Sequence, residues 1–269
     1  MVKNLVSVIM GIYNCADTLP EAIECILNQT YTNWELIMCD DGSTDDTYNV
    51  AKKYMDKYPD KIMLIRNKKN LGLNETLNNC LQESHGEFIA RMDGDDLCSP
   101  NRFEKEIEML NQHPEFAIVS SNMVYFDEHG VFGRSYLKEY PQAKDIVKGT
   151  PHCHAPCMVR REAYDAVGGY SVDRRLLRAE DYDLWIKMYA KGYRGYNLSE
   201  TLYSMRDDRN ATGRRKFKYR LNEAYVRVRA IKILELKKYN ILYAIKPVIV
   251  GLMPVSLYNI LHRERLKQK

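Results

Sequence analysis

The sequence predicts an α/β fold with a mostly parallel central sheet flanked by helices and a helical C-terminal tail. Over the first 125 residues, short apolar runs alternate with amphipathic stretches, the pattern of a parallel sheet covered by helices. Acidic residues stand directly after the second and fourth apolar runs, where an open α/β sheet presents its ligand sites. Beyond residue 205 the composition turns basic and helix-like.

Strands are expected at 6–10, 35–39, 62–65, 88–92 and 117–124, all dominated by apolar residues. Helices are expected between them at 20–28, 45–58, 74–84 and 101–111. Pro20 suits a first helical turn, and Ser43 with Asp46 matches a capping arrangement before the second helix. The stretch 131–204 reads as more irregular, with a short strand at 157–159 and helices at 161–167 and 181–190. Gly168 and Gly169 end the first of these helices and Gly192 the second. From 214 to 238, Leu221, Ala224, Val228, Ile231 and Leu234 recur at helical spacing among basic residues, giving one apolar and one cationic face. An apolar stretch then runs to 261, and Arg263, Arg265, Lys267 and Lys269 close the chain.

With 269 residues, 45% hydrophobic and 28% charged, the chain can bury a real core, which excludes collagen-like, disordered and mini-protein classes. Residues 206–269 hold 17 basic and 5 acidic residues, net +12, on a body of net −8. That asymmetry suggests an anionic surface as partner. The apolar run at 5–12 is too short for a secretory segment, and the longest uncharged stretch, 15 residues at 247–261, is interrupted by Pro254. No transmembrane helix is therefore expected. Seven scattered cysteines fit buried thiols in a reducing compartment, the cytosol by default. His152, Cys153, His154 and Cys157 crowd together, but no second pair follows at zinc-ligand spacing, and a structural reading outweighs zinc. No aromatic-interleaved basic motif supports nucleic-acid binding.

Asp40 and Asp41 follow the second expected strand; Asp93, Asp95 and Asp96 follow the fourth. Carboxylates crowded like this repel, so a cation accounts for Asp93-Gly94-Asp95, and hard oxygen donors suit Mg²⁺ or Mn²⁺. Around 43–46 a helix cap explains the acids equally well, whereas three carboxylates at 93–96 exceed what one cap requires. Neither G-x-x-x-x-G-K-[ST] nor G-x-G-x-x-G is present, which argues against a P-loop NTPase and a dinucleotide oxidoreductase.

Seven motifs, in order and at matching spacing, resemble the family 2 glycosyltransferases of GT-A type, inverting enzymes that use nucleotide sugars. They are Ser7-Val8-Ile9-Met10-Gly11-Ile12-Tyr13-Asn14, Ile26-Leu27-Asn28-Gln29-Thr30-Tyr31, Asp40-Asp41-Gly42-Ser43-Thr44-Asp45, Asn70-Leu71-Gly72, Gly86-Glu87-Phe88-Ile89-Ala90, Asp93-Gly94-Asp95-Asp96 and Glu180-Asp181. The resemblance implies that Tyr13 stacks on the nucleotide base and Asp41 accepts from a base N–H. It makes Asp93 the ribose or metal-water partner, Asp95 the metal ligand for Mn²⁺ or Mg²⁺, and Asp181 the general base. Glu180 either orients that base, contacts acceptor, or is simply an acid at a helix N-terminus. His154 matches a histidine near the diphosphate or acceptor, with a structural role equally open, and Arg178 could hold a phosphate. Where many relatives carry a histidine after Tyr203, this chain has Met205-Arg206-Asp207-Asp208, so Arg206 is the candidate to neutralise phosphate directly. Trp185 reads as core.

The resemblance divides the chain into a GT-A catalytic domain at 1–212, with a nucleotide-sugar half at 1–125 and an acceptor half at 126–212, and a tail at 213–269. The implied reaction moves a sugar from a nucleotide-diphosphate sugar, a UDP-sugar first, to a hydroxyl of a glycan or lipid-linked saccharide in cell-surface polysaccharide synthesis. The basic tail suggests a cytoplasmic enzyme peripheral on the inner face of the membrane. A tail packed on the body or forming a homodimer is the competing reading. A metal-dependent nucleotidyltransferase and a non-catalytic sugar-binding protein are the alternatives in function.

Overall fold

The computed structural model describes residues 1–207 and 216–253. The expected domain end at Thr212 and the basic residues from Arg263 onward lie outside them.

In chain order the elements are β1 (Val2–Ile12), α1 (Leu19–Leu27), β2 (Trp34–Asp40), α2 (Thr47–Lys57), β3 (Ile62–Arg66), α3 (Leu73–Glu83), β4 (Gly86–Arg91), β5 (Leu97–Cys98), α4 (Arg102–Gln112), β6 (Ile118–Asp127) and β7 (Gly130–Arg134). There follow α5 (Ala143–Ile146), β8 (Met158–Arg160), α6 (Arg161–Val167), α7 (Glu180–Ala190), β9 (Gly195–Arg206), α8 (Phe217–Ile233) and α9 (Ile241–Gly251). Among the described residues the strands form one sheet in the order β3-β2-β1-β4-β8-β6-β9-β5, with β7 beside β6. The β3-β2-β1-β4 part is parallel, β8 enters antiparallel to β4 and β6, and β9 runs parallel to β6.

Period-2 alternation sorts each central strand between two cores. Val6, Val8, Met10 and Ile12 of β1, with Leu36, Met38, Phe88 and Ala90, face α1 and its Leu19, Ala22, Ile23 and Ile26. Ile9, Ile37, Cys39 and Ile89 face the opposite layer, where Leu77 and Cys80 of α3 meet Leu184, Trp185 and Ile186 of α7. Trp185 is fully buried, as core. The register places Ile12 opposite Asp40 and Ile9 opposite Arg91, so the chain after β1, β2 and β4 emerges at one edge of the sheet. Both acidic clusters are carried there. All seven cysteines are free thiols, buried or half-buried.

Every expected strand and helix in the first 125 residues is present, with ends moved by a few residues. The irregular middle is more ordered than its sequence suggests: β7, α5 and the 12-residue β9 were not expected. Register shifts between Ser121 and Asn122 and between Asn122 and Met123 interrupt the β6–β9 ladder, and such irregularities erase the alternation that marks a strand. The capping at α2 also differs. Asp46 is the N-cap residue but does not cap; Thr47 N donates instead to Asp45 Oδ1 at 3.0 Å, and Ser43 Oγ accepts from Asn14 N.

The tail helix α8 is rotated from its expected orientation. Of the expected apolar stripe, Leu221 and Val228 are exposed, Ala224 and Ile231 are half-buried and Leu234 packs on the core that contains Trp185, in which Val226 and Ala230 are fully buried. Its cations are drawn inward: Arg227 donates to the carbonyls of Val147 and Tyr243, and Arg229 pairs with Asp183 of α7 at 2.9 Å. α8 therefore packs on the body, and α9 packs on α8. No described helix is long and apolar enough to cross a membrane.

Candidate active site

A cavity of about 780 Å³ opens at the edge where β1 and β4 end. Tyr13, Asp93, Asp95, His154, Arg178, Glu180, Asp181 and Arg206 all line it. Asp41, the other sequence-predicted site residue, does not.

Two loops are locked together on one side. Asn14, in a left-handed conformation with φ 49°, accepts from Thr44 N through Oδ1 at 2.9 Å, and its own N donates to Ser43 Oγ at 3.0 Å. This fixes the neighbouring Tyr13, whose side chain stays 47% exposed on the cavity wall. Asp41 is buried and accepts three internal bonds: from Asn67 Nδ2 and Leu71 N at 2.8 Å, and from Gly72 N at 2.9 Å. Its carboxylate thus ties the Asn70-Leu71-Gly72 motif down ahead of α3. Gly42 lets the chain turn there at φ +73°, with a Cβ position only 2.9 Å from the Lys69 carbonyl carbon.

The acid loop after β4 lies against the end of β1. A Cβ on Gly94 would stand 3.0 Å from Cys15 Sγ and 3.1 Å from Ile12 Cγ2, so the small residue is needed for the close approach. Thr18 Oγ1 donates to Gly94 O, and Tyr203 OH accepts from Asp93 N at 3.2 Å. Asp96 is buried; one oxygen accepts from Arg206 N at 2.7 Å and the other has no partner. Burial first, then the charges of Asp93 and Asp95, push its carboxyl up to about 8. The Arg206 side chain donates to Asp95 O and pairs with Glu21 at 2.9 Å, so its charge is already engaged beside the cavity.

Arg91, unremarked in the sequence, organises the centre. From the buried end of β4 it donates through Nη2 to Asp93 at 2.8 Å and through Nη1 to His154 Nδ1 at 2.6 Å. A guanidinium can only donate, so Nδ1 accepts and Nε2 carries the proton that His154 gives to Tyr170 OH at 2.8 Å. Burial and the Arg91 charge hold His154 neutral, well below the ordinary imidazole range. Both ring nitrogens are engaged within the protein. His152 is similarly occupied by Asn197 Oδ1 and Tyr189 OH. The signal for Arg91 was a charge closing the apolar run Phe88-Ile89-Ala90.

Opposite stands the N-terminus of α7. Arg178 holds a left-handed φ of 67° just before it, a strain of roughly 1–2 kcal/mol for a residue with a Cβ. Glu180 and Asp181 occupy the first turn, and Glu180 Oε2 is buried without a hydrogen-bond partner. Burial, then the Glu180 charge, raises the Asp181 carboxyl to about 6. At neutral pH it is ionised yet more basic than an ordinary aspartate, as a general base requires.

Among the described residues no three His, Cys, Asp or Glu side chains form a ready-made metal cage. The donor set still fits Mg²⁺ or Mn²⁺, which are held by one or two carboxylates together with water and substrate phosphates. Asp95 is exposed on the cavity wall near Asp93, and their charges help to keep the buried Asp96 carboxyl protonated, a crowding of negative charge that a cation would relieve.

A family model described as Glycosyl transferase family 2 matches residues 7–168. The chain belongs to glycosyltransferase family 2. A second model, Glycosyl transferase family group 2, matches residues 88–261. EpsE of Bacillus subtilis, whose name assigns it to the glycosyltransferases, is 46% identical over 97% of this chain and 94% of its own. The Escherichia coli protein WfaP, named UDP-Glc:alpha-D-GlcNAc-diphosphoundecaprenol beta-1,3-glucosyltransferase, is 31% identical over 74% of this chain and 76% of its own. Among solved structures, Staphylococcus aureus TarS 1–349 in complex with UDP superposes with a TM-score of 0.68 at 19% identity, covering 93% of this chain and 76% of that one. The mannosyltransferase PcManGT of Pyrobaculum calidifontis, solved with GDP-Man and Mn²⁺, gives 0.66 at 18% identity over 97% and 79%. This glycosyltransferase shares their GT-A fold.

Proposed function

We propose that this family 2 glycosyltransferase moves a sugar from a nucleotide-diphosphate sugar, a UDP-sugar in the first instance, to a hydroxyl of a glycan or lipid-linked saccharide in cell-surface polysaccharide synthesis. The observation that carries the reading is the placement of Tyr13, the acid loop and Asp181 around one cavity. Tyr13 offers an exposed ring for the base. Asp41, off the cavity wall, holds the Asn70-Leu71-Gly72 segment in place rather than meeting the base itself. Asp93, fixed by Arg91, faces the ribose. The acceptor hydroxyl gives its proton to the Asp181 carboxylate as its oxygen attacks the anomeric carbon; the bond from that carbon to the diphosphate oxygen breaks and the nucleoside diphosphate leaves with the electron pair. A single displacement of this kind inverts the anomeric centre. Asp95 and Asp93 would hold a divalent cation, which would supply Lewis-acid stabilisation of the leaving diphosphate.

The deciding experiment incubates wild type and Asp181→Asn with UDP-glucose, UDP-GlcNAc and GDP-mannose, Mn²⁺ and a polyprenyl-diphosphate-linked sugar, and analyses products by mass spectrometry and NMR. An added hexose in the inverted configuration, lost in Asp181→Asn, is expected. Hydrolysis without transfer, or a retained anomeric configuration, would overturn the mechanism. The net positive tail and the lipid-linked acceptor named for WfaP support a peripheral position on the cytoplasmic face of a membrane.

A further inference from the structure

We infer that α9 is an interfacial helix that lies flat on an anionic phospholipid surface and seats the enzyme there. The inference rests on the peripheral-membrane part of the reading above and assigns it to one face of one helix. Ala244 and Pro247 are the buried residues of α9, against the body. Away from them Ile241, Leu242, Ile245 and Ile249, with Leu252 at the C-cap, repeat at helical spacing, and all are exposed, Leu242 at 68% and Leu252 at 72%. Tyr239, also exposed, precedes this stripe, an amphipathic ring of the kind that settles at headgroup level.

Within the described residues α9 is too short to span a bilayer. Eleven helical residues reach about 16 Å, half the hydrocarbon thickness of a bilayer, so the helix can only lie in the interface with its apolar face sunk by about 5–10 Å. α9 is not a loose appendage. Gly251 brings it so close to α8 that a Cβ would stand 2.9 Å from Phe217 Cδ2, and Arg227 links the Tyr243 carbonyl to Val147. α8 is in turn fixed to α7, the helix whose first turn carries Asp181.

Charge selects the occupant. Lys237, Lys238 and Lys246 are exposed on and just ahead of α9, and residues 206–269 carry net +12. A second copy of the chain docking on this face would bring two such segments together, and like charges juxtaposed across an interface oppose association. Anionic headgroups satisfy both the cations and the apolar stripe.

The test floats full-length protein on vesicles of phosphatidylcholine alone and of phosphatidylcholine with phosphatidylglycerol, comparing wild type with Ile245→Glu/Ile249→Glu and with Lys237→Glu/Lys238→Glu. Circular dichroism and nucleotide-dependent thermal stabilisation report that each variant is folded. Wild type is expected to float with phosphatidylglycerol vesicles and to be released by salt, and each variant to lose binding by about tenfold or more. Wild type that stays in solution, or folded variants that float as well as wild type, would overturn the inference. So would a wild-type dimer, seen by sedimentation, that Ile245→Glu/Ile249→Glu splits without any vesicle binding. Floating requires no nucleotide, so protein that floats but is not stabilised by any nucleotide refutes the transferase mechanism alone, and the converse refutes the docking alone.

Discussion

Arg91 Nη2 lies 2.8 and 2.9 Å from the two carboxylate oxygens of Asp93, with Arg91 buried and Asp93 half-buried on the cavity wall. Arg91 also donates to His154, so one guanidinium connects the acid loop to the loop that follows the β6–β7 hairpin and α5. Arg91→Met keeps most of the volume but leaves Asp93 without its ion-pair partner. A loss of about 3 kcal/mol in folding stability is expected, read from the urea midpoint at unchanged m-value. A loss below about 1 kcal/mol would mean that Asp93 does not depend on the pair.

Asp181, the proposed general base, is expected to set the acid limb of activity. Its carboxyl is raised to about 6 by burial and by Glu180, and only the ionised form accepts a proton, so kcat/KM should fall as pH drops through 6 and level off above 7. Glu180→Gln removes the neighbouring charge and should move that limb to lower pH. Asp181→Asn should lower kcat by ~10² to 10⁴ while leaving nucleotide-dependent stabilisation intact. An acid limb that stays in place in Glu180→Gln would assign it to another group.

Asp95 is expected to carry the metal dependence of donor binding. With UDP, GDP, dTDP or CDP at about 100 times its dissociation constant, native stability should rise by ~2.7 kcal/mol, for one nucleotide and only with Mn²⁺ present. Asp95→Ala should abolish the shift. If the shift survives without Mn²⁺, or in Asp95→Ala, the diphosphate is held by side chains alone.

Asp96 predicts a stability gain. The folded protein keeps a proton on this carboxyl up to about pH 8, whereas an unfolded aspartate releases it near 3.9, so the native state binds more protons in between and loses stability as pH rises through that window. Asp96→Asn retains an acceptor for Arg206 N and removes the charge. In EDTA it should melt at least about 2 °C above wild type at pH 8, with a smaller gain at pH 5. Equal gains at both values would show that the carboxyl is not what titrates.

The legible part of the site was the part written locally in the chain. Asp93 and Asp95 stand at a strand end that hydropathy places, Tyr13 and the Glu180-Asp181 pair stand in motifs that the family resemblance picks out, and the cavity brings them together. Asp41 was legible as important but not in its geometry, because its partners Asn67, Leu71 and Gly72 lie 26 to 31 residues away. Arg91 and His154 are 63 residues apart, and no local pattern announces that they touch. In α8 the apolar residues allow more than one buried stripe; packing of Val226 and Ala230 against α7 selects one, and spacing could not. β9 escaped because its ladder with β6 is interrupted.

That last strand also governs when the site can exist. Tyr203 receives Asp93 N, and Arg206 N reaches Asp96, each across 110 residues of chain. During synthesis every acidic residue of the loop leaves the ribosome long before the strand that fastens it. Such distant closures are slow to form, so a nascent chain shorter than about 206 residues has its carboxylates but lacks the strand that fastens them at the cavity.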